Sequence, residues 1–210
     1  MSSATYRVIA PGSSHEITVQ RSRFLCTLER VHSENDARNV ISDIRGKHWE
    51  AAHHCSAFII GPDGALRHAN DDGEPAGTAG PPILEVLKGA EVSDVVCVVS
   101  RWFGGTLLGT GGLARAYADA ARQTLAKTTI VERSLQQVCQ VELDILDVGR
   151  VEHALRGRGA HVLGVDYHSS AILNFVVPSA LLVMAIELVA QMTSGAGDLK
   201  VLGSEWVDHS

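Results

Sequence analysis

The chain of 210 residues lacks a long hydrophobic run. Its most apolar segment, around residues 175–189, is interrupted by Pro178 and Glu187, so no membrane-spanning helix is expected. The start, MSSATYRVIAPG, lacks a basic stretch followed by an apolar one, and no signal peptide is expected there. Paired cysteines are missing too. Cys26, Cys55, Cys97 and Cys139 are far apart and never form C-x-x-C. Each sits in an apolar run, as a small buried hydrophobe does in a reducing, cytoplasmic setting. There is no basic surplus: formal net charge is −6, where a generic nucleic-acid binder is usually basic. The deficit is uneven. Residues 1–134 carry 14 Lys and Arg against 15 Asp and Glu, while residues 135–210 carry 4 against 9. An anion site therefore belongs in the first part and must be local. The phosphate loop G-x-x-x-x-G-K-[ST], the dinucleotide fingerprint G-x-G-x-x-G and the nucleophile elbow G-x-S-x-G are all absent. No Ser-His-Asp or Cys-His set can be drawn from spacing, so enzymatic activity is left open.

What is present is a strand–loop–helix passage between Val95 and Ala126. The β-branched run Val95, Val96, Val98, Val99 ends at Arg101-Trp102-Phe103. Gly104, Gly105, Gly109, Gly111 and Gly112 follow, then apolar residues at helical spacing: Leu113, Ala116, Tyr117, Ala120, Ala121 and Leu125. Glycines permit positive φ and close approach to bare backbone. The amides of Gly111, Gly112 and Leu113 are expected at a helix start, where the dipole favours an anion. Arg101 and Arg115 are placed to reach the same anion, and a phosphate-bearing ligand is one candidate. The alternative is that the glycines only permit tight packing.

A second loop, NDDGEPAGTAGPP (residues 70–82), holds Asp71, Asp72, Glu74 and Thr78. Three carboxylates within four residues can ligate a divalent cation. They can equally receive Arg101 or Arg115 in a paired network, or form a solvated surface. No metal or cofactor is assigned. His53, His54, Cys55 and His68 are of zinc-ligating type, but alternation along a strand puts His54 on the face opposite His53 and Cys55. Ser100 is a weak nucleophile candidate, and Trp102 and Phe103 are candidates for stacking on a base.

Elsewhere the pattern predicts a hairpin over residues 6–19 and a strand at Phe24–Leu28. A helix capped by Ser33, with Asp36 standing in for the usual Glu of a capping box, runs to about His48. A strand at Ala57–Ile60 returns through Leu66–Ala69, and Pro81-Pro82 opens a helix that Gly89 stops. Residues 127–133 read as a linker. The remainder reads strand (Val138–Ile145), helix (Val148–Arg156), two strands (His161–Tyr167 and Ala171–Val177), a helix capped by Ser179 and a strand (Lys200–Val207). That βαββαβ order is the ferredoxin-like layout. The fold class is α+β, with domains at 1–130 and 135–210.

DDGEPAGTAGPPILEVL, VVSRWFGGTLLGTGGLARAY, AHHCSAFIIG and the early Ser-Arg-Phe (residues 22–24) together resemble the YigZ/Impact family. The resemblance is strong over residues 20–126. It implies a first domain like domain 2 of ribosomal protein S5, followed by a ferredoxin-like domain like the last domains of elongation factor G. Eukaryotic relatives regulate translation by binding a scaffold protein and restraining a kinase that phosphorylates an initiation factor. No catalytic residue set carries over. Pro81 and Leu107 stand where many relatives have a basic residue, which removes positive charge near the glycine loop. The expected role is translation-linked regulation by contact with RNA, ribosome or a protein partner. The alternatives are an enzyme acting on a phosphorylated small molecule or nucleotide, and a module serving only protein interaction. The sequence is silent on oligomeric state.

Overall fold

A computed structural model describes residues 5–209. They form two compact units, divided between Glu132 and Arg133.

The first unit contains β1 (Thr5–Ile9), β2 (Ser13–Val19), β3 (Ser22–Arg30), α1 (Glu34–Lys47), β4 (His53–Ile60), β5 (Leu66–Asn70), α2 (Gly80–Gly89), β6 (Val92–Ser93), β7 (Val95–Trp102) and α3 (Gly109–Leu125). Five strands make one sheet in the order β2-β3-β7-β4-β5, antiparallel throughout. The central strand β7 is covered on both sides, which is why it reads as an unbroken apolar run rather than an alternating one. One set of its side chains (Val95, Cys97, Val99) joins the core with Phe24, Leu28, Ile83, Leu87 and Tyr117. The other set, Val96 and Val98, packs with Phe58, Ile60, Ala37 and Ile44 of α1. Ser33 caps α1 by accepting from the Asp36 amide at 3.1 Å. The Asp36 carboxylate reaches back to the amide of His32 at 3.2 Å rather than to that of Ser33, so the capping box is closed one residue further out.

The hairpin expected over residues 6–19 does not form. β1 pairs in parallel with β6, Arg7 opposite Val92. The tight hairpin is β2–β3, with Val19 opposite Ser22. Its two turn residues, Gln20 and Arg21, have φ of 45° and 67°, the double positive φ of a type I′ turn. The turn carries no sequence signal because neither residue is Gly, Asn or Asp.

The second unit contains β8 (Ile130–Leu143, its first residues lying before the division), α4 (Val148–Arg156), β9 (His161–Tyr167), β10 (Ala171–Pro178), α5 (Leu182–Met192) and β11 (Leu199–His209). Strand order is β11-β8-β10-β9, with β10 antiparallel to both β8 and β9. Inward residues Cys139, Val141, Leu173 and Phe175 meet Val151, Leu155, Ala185 and Val189 of the two helices. Two expectations change here. Residues 130–133, expected within a linker, are already strand. Ser179 does not cap α5: it opens a 3-10 turn, Ser179–Leu181, and its hydroxyl accepts from Gln137 Nε2 at 2.9 Å.

Candidate functional site

The two loops singled out by composition are neighbours tied through β7 and α3. Glu74 is the knot. Its Oε1 accepts from Arg101 Nη1 at 2.5 Å and from the Tyr117 hydroxyl at 2.7 Å. The ion pair is buried, with side-chain exposures of 7% for Arg101 and 4% for Glu74. A buried charge is tolerated only when paired in this way. The Arg101 guanidinium lies 5.5 Å from the ring centroid of Phe24 and 5.7 Å from that of Phe103. Arg101 was expected to face an anion; in the structure its charge is neutralised within the fold.

The other carboxylates are also engaged. Asp71 accepts from the amides of Gly77, Ala79 and Gly80 at 2.8–2.9 Å, which folds the loop back on itself and fixes the start of α2. Asp72 accepts from Arg45 Nη2 at 2.6 Å and from the His54 amide at 2.7 Å. Partial burial opposes ionisation of Asp72, but hydrogen bonds from Arg45 and the His54 amide outweigh it and hold its carboxyl below the ordinary range. The Thr78 hydroxyl donates to the Pro75 carbonyl at 2.6 Å. Glu74 and Thr78, expected on the loop surface, are both buried. Among the described residues no group of three or more His, Cys, Asp and Glu could hold a metal ion. Cys55, whose thiol donates to the Asp71 carbonyl at 3.0 Å, is pushed up to about 12 by burial. It is a packing group rather than a nucleophile. Burial likewise drives the Tyr117 hydroxyl well above its ordinary value.

The glycine loop has a structural root and an open tip. At the root, Gly104 runs against the turn before β3: a Cβ there would lie 2.0 Å from the Arg21 carbonyl carbon, and the Gly104 amide donates to Ser22 Oγ at 3.1 Å. At the tip, Gly105 and Gly109 adopt φ of 84° and 69°, which a side chain disfavours. Helix α3 begins at Gly109, two residues earlier than expected. Leu113 is buried and its amide falls inside the helix ladder. The unpaired amides are therefore those of Gly109, Thr110 and Gly111. No side chain caps this end and its first turn holds no acidic residue. Gly111 is exposed, Gly112 rests on Leu108, and Arg115 is exposed with no ion pair among the described residues. Phe103 is 53% and Leu107 86% exposed. The surface thus combines apolar tips, a positive helix end and a sparse positive charge.

The histidine motif separates as strand alternation requires. Cys55 enters the core under α2 and α3, and His54 lies on the opposite face, its Nδ1 2.9 Å from Ser100 Oγ. Ser100 is fully buried, so it positions His54 and cannot meet a substrate. The residues that sequence reasoning missed are Tyr117 as the second ligand of Glu74, and the His54–Ser100 pair. The only signal for Tyr117 was a hydroxyl within an otherwise apolar helix face.

The Impact N-terminal domain family model matches residues 20–125. IMPACT family member YvyE of Bacillus subtilis is 37% identical over 196 residues, covering 93% of this chain and 90% of that protein. IMPACT family member YigZ of Escherichia coli is 33% identical over 164 residues, covering 77% and 80%. A Dictyostelium discoideum protein named as an IMPACT homolog is 28% identical over 136 residues, covering 63% of this chain and 38% of its own length. A crystal structure described as that of a hypothetical protein is similar at TM-score 0.66 and 28% identity, covering 97% of this chain and 100% of that one. The family model and the relatives agree: the chain belongs to the IMPACT family.

Proposed function

We propose that this chain is a translation-linked regulatory protein that acts by binding, with the glycine-loop tip of its first unit as the contact surface. The observation that carries the reading is the contrast within the site. Every carboxylate of the acidic loop is engaged by a group of the fold, whereas the tip leaves the α3 amides, Arg115 and Leu107 unengaged, with the half-exposed Phe103 set against the Arg101 guanidinium beneath it. Membership of a family with eukaryotic branches supports a regulatory role. The five-stranded layered unit fits an assignment like domain 2 of ribosomal protein S5. The β11-β8-β10-β9 order fits a ferredoxin-like domain like the end of elongation factor G. We place the protein in the cytoplasm; no helix among the described residues is long and apolar enough to cross a membrane.

A protein surface of the translation machinery fits this tip better than RNA. Arg101 is neutralised by Glu74, and Leu107 is an 86% exposed apolar residue. Two exposed cations remain there to displace counterions, Arg115 and Arg21, whose Nη2 donates to Thr106 Oγ1 at 3.3 Å. The test is co-sedimentation with purified bacterial ribosomes over a salt series, before and after nuclease treatment of exposed RNA. The expected result is pelleting that falls only weakly with salt, with a log–log slope of about −2 or shallower. A phosphate-dominated contact falls far more steeply. A steep slope, or loss on nuclease treatment, transfers the contact to RNA. Absence from the pellet at low salt overturns the ribosomal reading.

A further inference from the structure

The face of the first sheet that α1 covers changes character along β4. At one end Phe58, Ile60, Val96 and Val98 form an apolar layer with Ala37 and Ile44. At the other end the same face presents Ser56 and His54. What remains is a cavity of ≈ 230 Å³ between α1 and strands β4 and β5. Helix residues Arg38, Ile41, Ser42 and Arg45 line one wall; their spacing of three, four and seven puts them on one stripe.

Polar groups on a buried sheet face normally find partners. Here two do not. Ser56 is 2% exposed and His54 3% exposed. Neither Ser56 Oγ nor His54 Nε2 has a protein hydrogen-bond partner among the described residues, and neither is sealed in the core, so both meet the solvent of the cavity, while Ser100 holds the opposite ring nitrogen of His54 at 2.9 Å. Both residues line the cavity. The rim carries two guanidinium groups, each paired with one carboxylate. Arg38 uses Nε and Nη2 on Glu34, and Arg45 uses Nη2 on Asp72, so each guanidinium keeps further N–H donors. Phe58 supplies an apolar wall, on which His68 stacks with ring centroids 5.2 Å apart.

We propose that this cavity binds the oxyanion of a small molecule, phosphate or carboxylate, between Arg38 and Arg45 of α1 and Ser56 and His54 of β4. Phe58 and Ile41 receive its apolar part. With the Ser100 hydroxyl donating to Nδ1, Nε2 carries a proton toward the ligand. Burial, followed by the nearby Arg45 charge, lowers the His54 pKa, which keeps the ring a neutral donor near pH 7. The site shares no side chain with the glycine-loop tip, so its failure leaves the proposed function standing, and the reverse.

The experiment is an amide chemical-shift titration of the full chain with inorganic phosphate and, separately, with acetate, against chloride at matched ionic strength. The expected result is saturable shifts clustered at residues 38–45 and 54–56 with at least one of the two anions, and none with chloride. The tighter anion names the headgroup. Arg38→Gln, at an exposed position, keeps the fold and weakens binding about ten-fold, as loss of one charge-assisted contact does. Ser56→Val removes the hydroxyl and weakens it by a similar factor. Arg115→Gln, on the other surface, leaves it unchanged. Shifts that fail to saturate, that centre on residues 109–115, or that survive both Arg38→Gln and Ser56→Val overturn the proposal.

Discussion

The acidic loop and the glycine loop lie side by side and look equally functional as strings of letters, yet they do opposite things. The acidic loop turns inward: Asp71 holds three amides, Asp72 an arginine and an amide, Glu74 an arginine and a phenol. The glycine loop turns outward beyond Gly104, leaving backbone donors and Leu107 without internal partners. Charge density in a sequence is therefore a poor guide to which loop stays open to solvent. Charges near buried strands are recruited to hold the fold together. Uncharged glycines leave a helix end bare.

That contrast can be broken by mutation, and the largest effect belongs to its centre. Glu74→Ala strands the Arg101 guanidinium in the core. It should cost about 3–5 kcal/mol of unfolding free energy in urea titration; a loss under 1 kcal/mol contradicts an inward-facing acidic loop. Gly104→Ala comes next, because the backbone of Arg21 occupies the place of the new methyl. A loss of about 2–3 kcal/mol is expected, marking the root of the glycine loop as structural. Asp72→Asn should cost about 1–2 kcal/mol at pH 7, and the cost should depend on pH. The folded carboxyl of Asp72 titrates below its ordinary range. Its contribution is complete above the unfolded value near pH 4 and is lost as pH falls through the lower folded value. The gap between parent and variant stability, followed by urea melts from pH 7 to pH 2.5, should therefore close in acid. A gap that widens there assigns Asp72 the wrong sign. The smallest effect belongs to the tip. Gly111 has negative φ, and no atom lies within 4 Å of where an added methyl would sit. Gly111→Ala should therefore shift stability by no more than about 0.5 kcal/mol in the same assay.

Local signals were legible in the sequence. Ser33 and Asp36 marked the start of α1, Pro81-Pro82 and Gly89 bracketed α2, and the β9 boundaries, His161–Tyr167, could be read directly. Each depends on residues a few positions apart. Long-range pairings were not legible. His54 meets Ser100 only because β4 and β7 pair in that register across 46 positions. Nothing in DDGE distinguishes Glu74, which enters the core, from Asp72 at its edge. That difference is set by Arg101 and Tyr117, on β7 and α3. The β2–β3 turn was hidden for a related reason: Gln20 and Arg21 take positive φ because the paired strands demand it, against their own preference.

The central claim is that the glycine-loop tip binds and the acidic loop supports. Its most direct test is Leu107→Asp in the ribosome sedimentation assay, with a thermal melt alongside. Leu107 is exposed, so the melt should move by no more than about 2 °C. The apparent affinity should drop about ten-fold or more, as when a charge enters an apolar contact. Parent-like pelleting by Leu107→Asp with an unchanged melt would contradict the account.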